Sequence, residues 1–592
     1  MISATYQLVT TPDALRAAVD ELRPHAAIGF DTETTSLDPY GGRLRLVQLA
    51  APDGRVFVVD LDRFDGDQRT SEALAPLREL LAAPRPVKTA HNTKFDLKWA
   101  KQHLGVELGG IFDTLLASQL VSAGETEDRH GLDAVAARYL DETLDKAERL
   151  SDWGGELSAA QLEYAARDAA VLLPLRERLI ERLKRDALVP VAQLEFECVP
   201  AVAGLELAGL FLDAHRWREQ LVTVERRRAE LARELQVMLS EGAPQGLLFA
   251  EARADINLDS HTQLTAALKR LGVPVPDSTR NWKLQPLAKE YPVVAKLLEY
   301  RTVQKSLTSY GENILNEINP ATGRIHANFH QIGAPTGRFA CTNPNVQQIP
   351  HEYEYRRCFR APEGRKLITA DYSQIELRIL AHVSEDAGFI TAFNSGADLH
   401  RVTAAQVFNV PLEQVTKEQR DFAKRLNFGV VYGIGAQRFS LMTGLPLTEA
   451  EAIMSRYFQT YRGLDAWLRG AAQRAVRERA ARTLSGRLAR FNFDPQDRQA
   501  VSLAQRNGKN MPIQGASADI IKRALRLLHD RLRATSAAIV NVVHDEIVVE
   551  ADAAQSEEIV KAVEDAMCAA GEEYVKRVPV KVESVVADEW VK

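Results

Sequence analysis

Two apolar runs in this chain each end in an acid. Lys366-Leu-Ile-Thr-Ala-Asp371 stops at a carboxylate and continues as Tyr372-Ser-Gln-Ile-Glu376. About 170 residues later, Ala537-Ala-Ile-Val-Asn-Val-Val543 breaks at His544-Asp545-Glu546 and resumes as Ile547-Val-Val-Glu550, the pattern of a buried hairpin with a polar tip. A fold that buries these strands delivers Asp371 and Asp545 to their tips, where the two carboxylates can meet in one cleft. Such a pair can hold two divalent metals. Phosphoryl transfer needs that arrangement, because metals about 3.5–4 Å apart stabilise the attacking and the leaving oxygen of an in-line displacement. A lone acid at a strand end is more often a turn former, so the weight falls on the residues around each one.

At 592 residues the chain has room for three or four units, and 45% apolar with 26% charged residues is an average globular composition. Cys198, Cys341, Cys358 and Cys568 lie far apart with no CxxC pair, which argues against a zinc site or disulfide framework and fits a reducing cytosol. No apolar stretch is long enough to span a membrane, and Met1–Thr10 shows no signal or transit pattern, so a cytoplasmic setting is expected. A net charge of −6 is a poor signature for DNA binding. Its distribution says more: residues 1–190 carry 23 basic and 31 acidic side chains of the chain's 74 and 80, so the remainder carries 51 and 49. The acidity belongs to the front third.

That front third reads as an α/β unit. Apolar runs at Ala26–Phe30, Leu44–Ala50 and Val56–Leu61 are separated by turn residues as in a strand meander, and helical patterns follow from Ser71. Ser158 with Gln161 forms a capping box for a late helix. From 191 to about 330 the pattern is helical and charged, interrupted by the polar stretch Val273–Lys283, which reads equally well as a solvated loop or as a DNA-contacting tip. No repeat or low-complexity tract is present.

A second capping box, Thr416 with Gln419, opens the stretch Arg420-Asp-Phe-Ala-Lys424-Arg-Leu-Asn-Phe428-Gly-Val-Val-Tyr432-Gly433. At 3.6 residues per turn, Arg420, Lys424 and Phe428 fall on one face within about 80°, Tyr432 drifts further round, and Gly433 offers a C-terminal stop. Two cations and an aromatic on one face suit the phosphates and base of a triphosphate; a lone cation pair would more often be a solvated face. The three strings DYSQIELRILAH, RxxxKxxxFGxxYG and VVHDEIVVE resemble the polymerase motifs of the family A (DNA polymerase I-like) enzymes.

The resemblance implies that Asp371, Asp545 and the backbone of Tyr372 hold two metals, that Lys424 acts in catalysis, and that His544 touches the primer end, with Glu546 behind the metals. It implies that Glu376, with Gln374 beside it, blocks a ribose 2′-hydroxyl and so selects deoxynucleotides. His400, in Asp398-Leu-His400, matches a further phosphate contact, and Phe428 in place of Tyr goes with discrimination against dideoxynucleotides. Thr336-Gly-Arg338-Phe-Ala-Cys-Thr-Asn-Pro-Asn345-Val-Gln347 resembles the family's minor-groove segment, with Phe-Ala-Cys for the usual Leu-Ser-Ser. Arg338, Asn345 and Gln347 would test pair geometry there without reading sequence. Arg506, Asn510 and Gln514 are carried over as template contacts.

In the front unit, Ile28-Gly-Phe-Asp31-Thr-Glu33 sets two carboxylates two residues apart, on one side of a strand. His91-Asn-Thr-Lys-Phe-Asp96 supplies a third, and Tyr164-Ala-Ala-Arg-Asp168 a fourth with a phenol one turn before it. Converging acids repel unless cations sit between them, which argues for two metals and a positioned water. Together they resemble the DEDDy 3′–5′ exonucleases, with Asp31, Glu33, Asp96 and Asp168 as ligands and Tyr164 orienting the attacking water.

The fold expected is therefore multidomain α/β and α+β: an RNase H-like exonuclease over 1–190, then a right-hand polymerase over 191–592. Within the latter, 191–330 is mainly thumb, 331–400 with 500–592 mainly palm, and 401–499 mainly fingers, with no 5′-nuclease domain in front. The function expected is DNA-directed DNA polymerase with proofreading, using two Mg²⁺ per active site (Mn²⁺ substituting), deoxynucleoside triphosphates and primer–template DNA, as a monomer. Three rivals stand beside it. A nuclease with an inert polymerase body is opposed by the intact Asp371, Lys424 and Asp545. A non-catalytic primer–template binder would have no use for two metal sites, and Glu376 disfavours a single-subunit RNA polymerase.

Overall fold

The structure, a computed structural model, describes residues 5–124, 129–240, 256–275, 278–350 and 352–591. The three apolar runs near the N-terminus form β2 (Ala27–Thr34), β3 (Leu44–Ala50) and β4 (Arg55–Asp60), an antiparallel meander. Three further strands complete the sheet: β1 (Thr5–Val9), β5 (Val87–Ala90) and β6 (Ile111–Asp113), in the order β1-β4-β3-β2-β5-β6, with β1, β5 and β6 each joined in parallel. The expectation that only helices follow Ser71 is thus corrected. β5 and β6 are four and three residues long, too short for an alternating pattern to emerge. Helix α1 (Thr93–Trp99) follows β5, and α2 (Ala159–Ala170) opens on the Ser158–Gln161 capping box and lies on β2, β3 and β4.

Helix α3 (Val189–Ala208) belongs to two cores at once. Val191, Phe196, Val199 and Ala203 pack into the first unit, whereas Cys198, Ala201, Val202 and Leu205 pack into the second. A helix clad on two sides must be apolar nearly all round, and its two buried acids are both ion-paired. Glu206 receives Lys94 and Lys98 of α1 at 2.6 Å each, which clamps the helix carrying Asp96 against α3.

Beyond α3, helices α4 (Ala214–Ser240) and α5 (Pro292–Tyr310) pack together around a separate apolar cluster. Of the polar stretch 273–283, residues 273–275 and 278–280 have no regular structure, Asn281–Leu284 is a short helix, and Pro276 and Asp277 lie outside the described residues.

The two acid-tipped runs meet as inferred. β7 (Arg365–Tyr372), β8 (Ala538–Val543), β9 (Glu546–Asp552) and β10 (Val582–Ala587) form one antiparallel sheet in the order β8-β9-β7-β10. Helix α6 (Ile375–Ser384) leaves the tip of β7, and α7 (Leu399–Phe408) follows it. Helix α8 (Lys417–Val431) opens on the Thr416–Gln419 capping box and ends at Tyr432, with Gly433 at φ +66°. It packs against α6, α7 and the long α9 (Arg498–Leu532), while α10 (Ser556–Tyr574) covers β7 and β10.

Candidate active sites

Register decides the first site. Asp371 is opposite Glu546 across β7 and β9, so Asp545, one residue back at the hairpin tip, falls beside Tyr372. The Tyr372 N–H donates to the Asp545 carbonyl at 3.2 Å, which locks the two tips together. The Tyr372 side chain points the other way, buried, with its hydroxyl on the Met567 carbonyl at 2.6 Å. Its backbone therefore stays at the cleft. His544 takes a left-handed φ of +56° and is exposed.

Glu546 is turned away from that cleft. It is buried, accepts the Trp590 indole N–H at 2.7 Å, and is 3.5 Å from Arg356. Trp590, two residues from the C-terminal Lys592, and Arg356 were not foreseen from sequence. Neither sits in a pattern that marks it.

Glu376 is the hinge of the second cluster. Arg338 donates a charged hydrogen bond to one carboxylate oxygen, and the Tyr432 phenol stands near the carboxylate. Burial raises the Glu376 carboxyl, against the pull of the Arg338 charge and the Tyr432 hydroxyl. The Tyr432 phenol is pushed up to about 12, by burial first and then by the Glu376 charge. A hydroxyl that holds its proton this firmly remains a donor. Gln374, at φ +56°, makes the turn into α6.

Asn510 and Arg506 of α9 reach the same end of α8: Asn510 Nδ2 is 3.4 Å from the Tyr432 carbonyl, and Arg506 lies against Gly433. Gln514 is half-buried one turn further along α9. Asn345 caps a short turn by accepting from the Gln347 N–H at 3.2 Å, and Gln347 Nε2 donates to the Val542 carbonyl of β8 at 2.9 Å. The Asn345–Gln347 turn is thereby tied to the strand that leads to Asp545.

On α8, Lys424 is exposed and Phe428 half-buried. Arg420 pairs with Asp398 at 2.6 Å, and Asp398 in turn caps α7 just before His400. His400 is buried, and Asn427 Nδ2 sits 3.0 Å from its Nδ1. Burial first, then the charges of Arg420 and Lys424 against that of Asp398, hold the imidazole down to about 4. It is therefore neutral at pH 7, with Nδ1 accepting from Asn427 and the Nε2–H left as donor. Asn427, unremarked in the sequence, sets that tautomer.

The third cluster lies on the first sheet. Asp31 and Glu33 share one side of β2, Asp96 comes from α1, and Tyr164 with Asp168 from α2. Thr32 donates to Asp96 at 2.6 Å, and Tyr164 lies one turn before Asp168 on α2. Burial and then the Asp168 charge push Asp31 up to about 7. Glu33 and Asp96 are raised too, by burial and then by the Asp31 charge. One residue here was missed: Lys146 Nζ sits 2.7 Å from Asp168 Oδ2.

A set of carboxylates alone is the donor chemistry that hard divalent cations take. As the side chains stand, no group of three or more His, Cys, Asp or Glu among the described residues is gathered to hold a metal ion. At Asp168 the place of a cation is taken by an ammonium. The donor set is the one such metals take.

Comparison with known proteins matches each of the two units to a family. The profile described as DNA polymerase family A matches residues 225–592, and that described as 3'-5' exonuclease matches residues 6–184. The chain is 32% identical to DNA polymerase I of Pseudomonas aeruginosa, over 99% of this chain and 66% of that protein. It is also 32% identical to DNA polymerase I of Aquifex aeolicus, over 99% of this chain and 100% of that protein. The thermostable DNA polymerase I of Thermus aquaticus is 34% identical over 86% of this chain and 59% of its own. The chain thus spans about two thirds or less of the Pseudomonas and Thermus relatives and all of the Aquifex one. Among solved structures, the POL domain of Pol1 from M. smegmatis, in complex with DNA primer-template and dNTP, superposes with a TM-score of 0.86 at 28% identity over 99% of each chain.

Proposed function

The chain belongs to DNA polymerase family A and carries a 3′–5′ exonuclease domain ahead of its polymerase domain, and from that premise we propose that it extends a DNA primer on a DNA template and removes mispaired 3′ ends. Divalent metal is general to both families; here the metal is Mg²⁺, with Mn²⁺ able to replace it. Asp371, Asp545 and the Tyr372 carbonyl would hold it for extension, and Asp31, Glu33, Asp96 and Asp168 for excision. When bound, the metals stabilise the attacking and leaving oxygens. The chain's own side chains do the rest.

Arg420, Lys424 and the Nε2–H of His400 face the triphosphate, and Phe428 lies against the sugar. Arg338, Asn345 and Gln347 follow the minor groove, Arg506, Asn510 and Gln514 the template, and His544 the primer end. Tyr164, its proton held by burial and then by the charges of Asp168, Glu33 and Asp31, orients water in the nuclease. The single observation that carries the substrate class is the Glu376 carboxylate, fixed by Arg338 beside Tyr432 near the acid-tipped strands. In that position it fills the space of a ribose 2′-hydroxyl. We assign residues 1–190 to the exonuclease and 191–592 to the polymerase, with 191–330 mainly thumb, 331–400 and 500–592 mainly palm, and 401–499 mainly fingers. We expect a monomer acting in the cytoplasm; no described helix is long and apolar enough to cross a membrane.

Primer extension with Mg²⁺ and deoxynucleotides, against ribonucleotides, is the test. Asp371→Ala or Asp545→Ala should abolish extension and spare degradation of single-stranded 3′ ends; extension within tenfold of the parent would refute the assignment. Asp31→Ala with Glu33→Ala should do the reverse, and continued digestion of a labelled 3′ end would remove the nuclease assignment.

A further inference from the structure

Lys146 has no part in the reactions derived above, yet it sits inside the nuclease carboxylates. It precedes the short turn Ala147–Leu150, outside every strand and helix that carries the acids. Its Nζ is 2.7 Å from Asp168 Oδ2 and 5.4 Å from the centre of the Tyr164 ring. Its charge acts on Asp31, Glu33 and Asp168 alike. Lys146 is thus bonded to one of the four acids and close enough to act on two others.

We propose that Lys146 is a positioning residue of the nuclease, a built-in counter-cation seated on Asp168 that divalent metal must displace. An ammonium hydrogen-bonded to a carboxylate and a dication on the same carboxylate repel each other, so each weakens the other's hold on Asp168. The lysine side chain is 24% exposed, and a flexible four-carbon stem on a compact, strongly hydrated charge suits it to swing out. Metal-free, Lys146 holds Asp168 and Tyr164 together and relieves the mutual repulsion of the acids. With metal, it gives way, at a cost in apparent metal affinity. Lys146 therefore sets the metal concentration at which the nuclease becomes competent.

The inference rests on Asp31, Glu33, Asp96 and Asp168 being metal ligands, and the test separates the two. The whole chain carrying Asp371→Ala and Asp545→Ala, so that the polymerase cleft contributes little, is titrated with Mn²⁺ and free metal is read by electron paramagnetic resonance. Lys146→Met and Lys146→Gln should each bind Mn²⁺ at least fivefold more tightly than the parent, and Lys146→Arg should stay close to it. In EDTA the two neutral variants should unfold at lower temperature than the Arg variant, and Mn²⁺ should close that gap. A cooperative unfolding transition certifies each protein, and either neutral variant suffices if the other does not fold. A gain below fivefold, or weaker binding, overturns the proposal. If Asp31→Asn with Glu33→Gln binds Mn²⁺ as the parent does, the ligand reading fails, and the role of Lys146 with it.

Discussion

Glu376 shows how much one buried carboxylate can determine. It is held by a cation, with a phenol near it, so its position does not depend on a substrate arriving. Exclusion of a 2′-hydroxyl from such a place acts through steric and desolvation cost, not through a favourable contact to deoxyribose. Glu376→Ala should therefore raise ribonucleotide incorporation relative to deoxynucleotide by tenfold or more, while lowering deoxynucleotide incorporation, because Arg338 loses its partner and Tyr432 its neighbour. Single-turnover efficiencies with both substrates measure it; an equal fall in both would make Glu376 a structural acid only. Phe428 allows a second prediction at this scale. Half-buried with its ring 5.8 Å from that of His400, it presents no polar atom where a Tyr would bring a hydroxyl able to replace a missing 3′-hydroxyl. Phe428→Tyr should weaken discrimination against dideoxynucleotides strongly in a nuclease-inactive background. Unchanged incorporation ratios would move Phe428 away from the sugar.

At the scale of elements, the hairpin that carries Asp545 is anchored from the far end of the chain. Trp590 packs edge-on against Phe359, takes a main-chain bond from its N–H to the Phe359 carbonyl at 2.8 Å, and donates its indole N–H to Glu546. Arg356 stacks on the same indole, 4.2 Å from its centre. Glu546 is adjacent to Asp545, so whatever holds its side chain inward holds the tip of β9 in register. Trp590→Phe keeps most of the apolar surface but removes one donor from a buried carboxylate, a loss of about 1–3 kcal/mol. Extension should slow while 3′ degradation is unchanged, and chemical denaturation should report the stability loss. Extension at the parent rate would mean the anchor is structural alone.

Across the whole molecule, a buried charge network ties α3, the helix shared by the two cores, to the rest of the second unit. Glu195 of α3 receives Arg487 and Lys522, and Arg487 also pairs with Asp519 at 2.6 Å; all four are buried. Gln331 adds a bond to Glu195 at 2.9 Å. Removing one member leaves buried charge uncompensated, so Glu195→Ala should cost about 3–5 kcal/mol. Burial by itself would raise the Glu195 carboxyl, but the charges of Lys522 and Arg487 overcome it and hold the group below its ordinary 4.5. A depressed folded value means the folded state binds the proton more weakly. The stabilisation is therefore full above the ordinary value and is lost as pH falls below it towards the folded one. Denaturation as pH falls below 4.5 should show a steeper loss for the parent than for Glu195→Gln; equal slopes would remove Glu195 from the acid response.

What the sequence by itself determined is local or periodic. The acid at the end of each apolar run, the capping boxes at Ser158 and Thr416, the shared face of Arg420, Lys424 and Phe428, and the DxE spacing on β2 all follow from neighbours within a few residues, where strand and helix periods leave little choice. The short strands β5 and β6 escaped because three or four residues carry no period; tertiary hydrogen bonding, not pattern, makes them strands. Only the tertiary structure decided the partners: Lys146 on Asp168, Asn427 on His400, Trp590 on Glu546, Arg338 on Glu376. Lys146, Trp590 and Arg338 come from segments distant in the chain and are brought up by strand register and helix packing. Asn427, though on the motif helix itself, turns inward to a histidine of another helix. A side chain's neighbour across space leaves no trace in its neighbours along the chain, so the candidate acids were legible and the groups that hold and neutralise them were not.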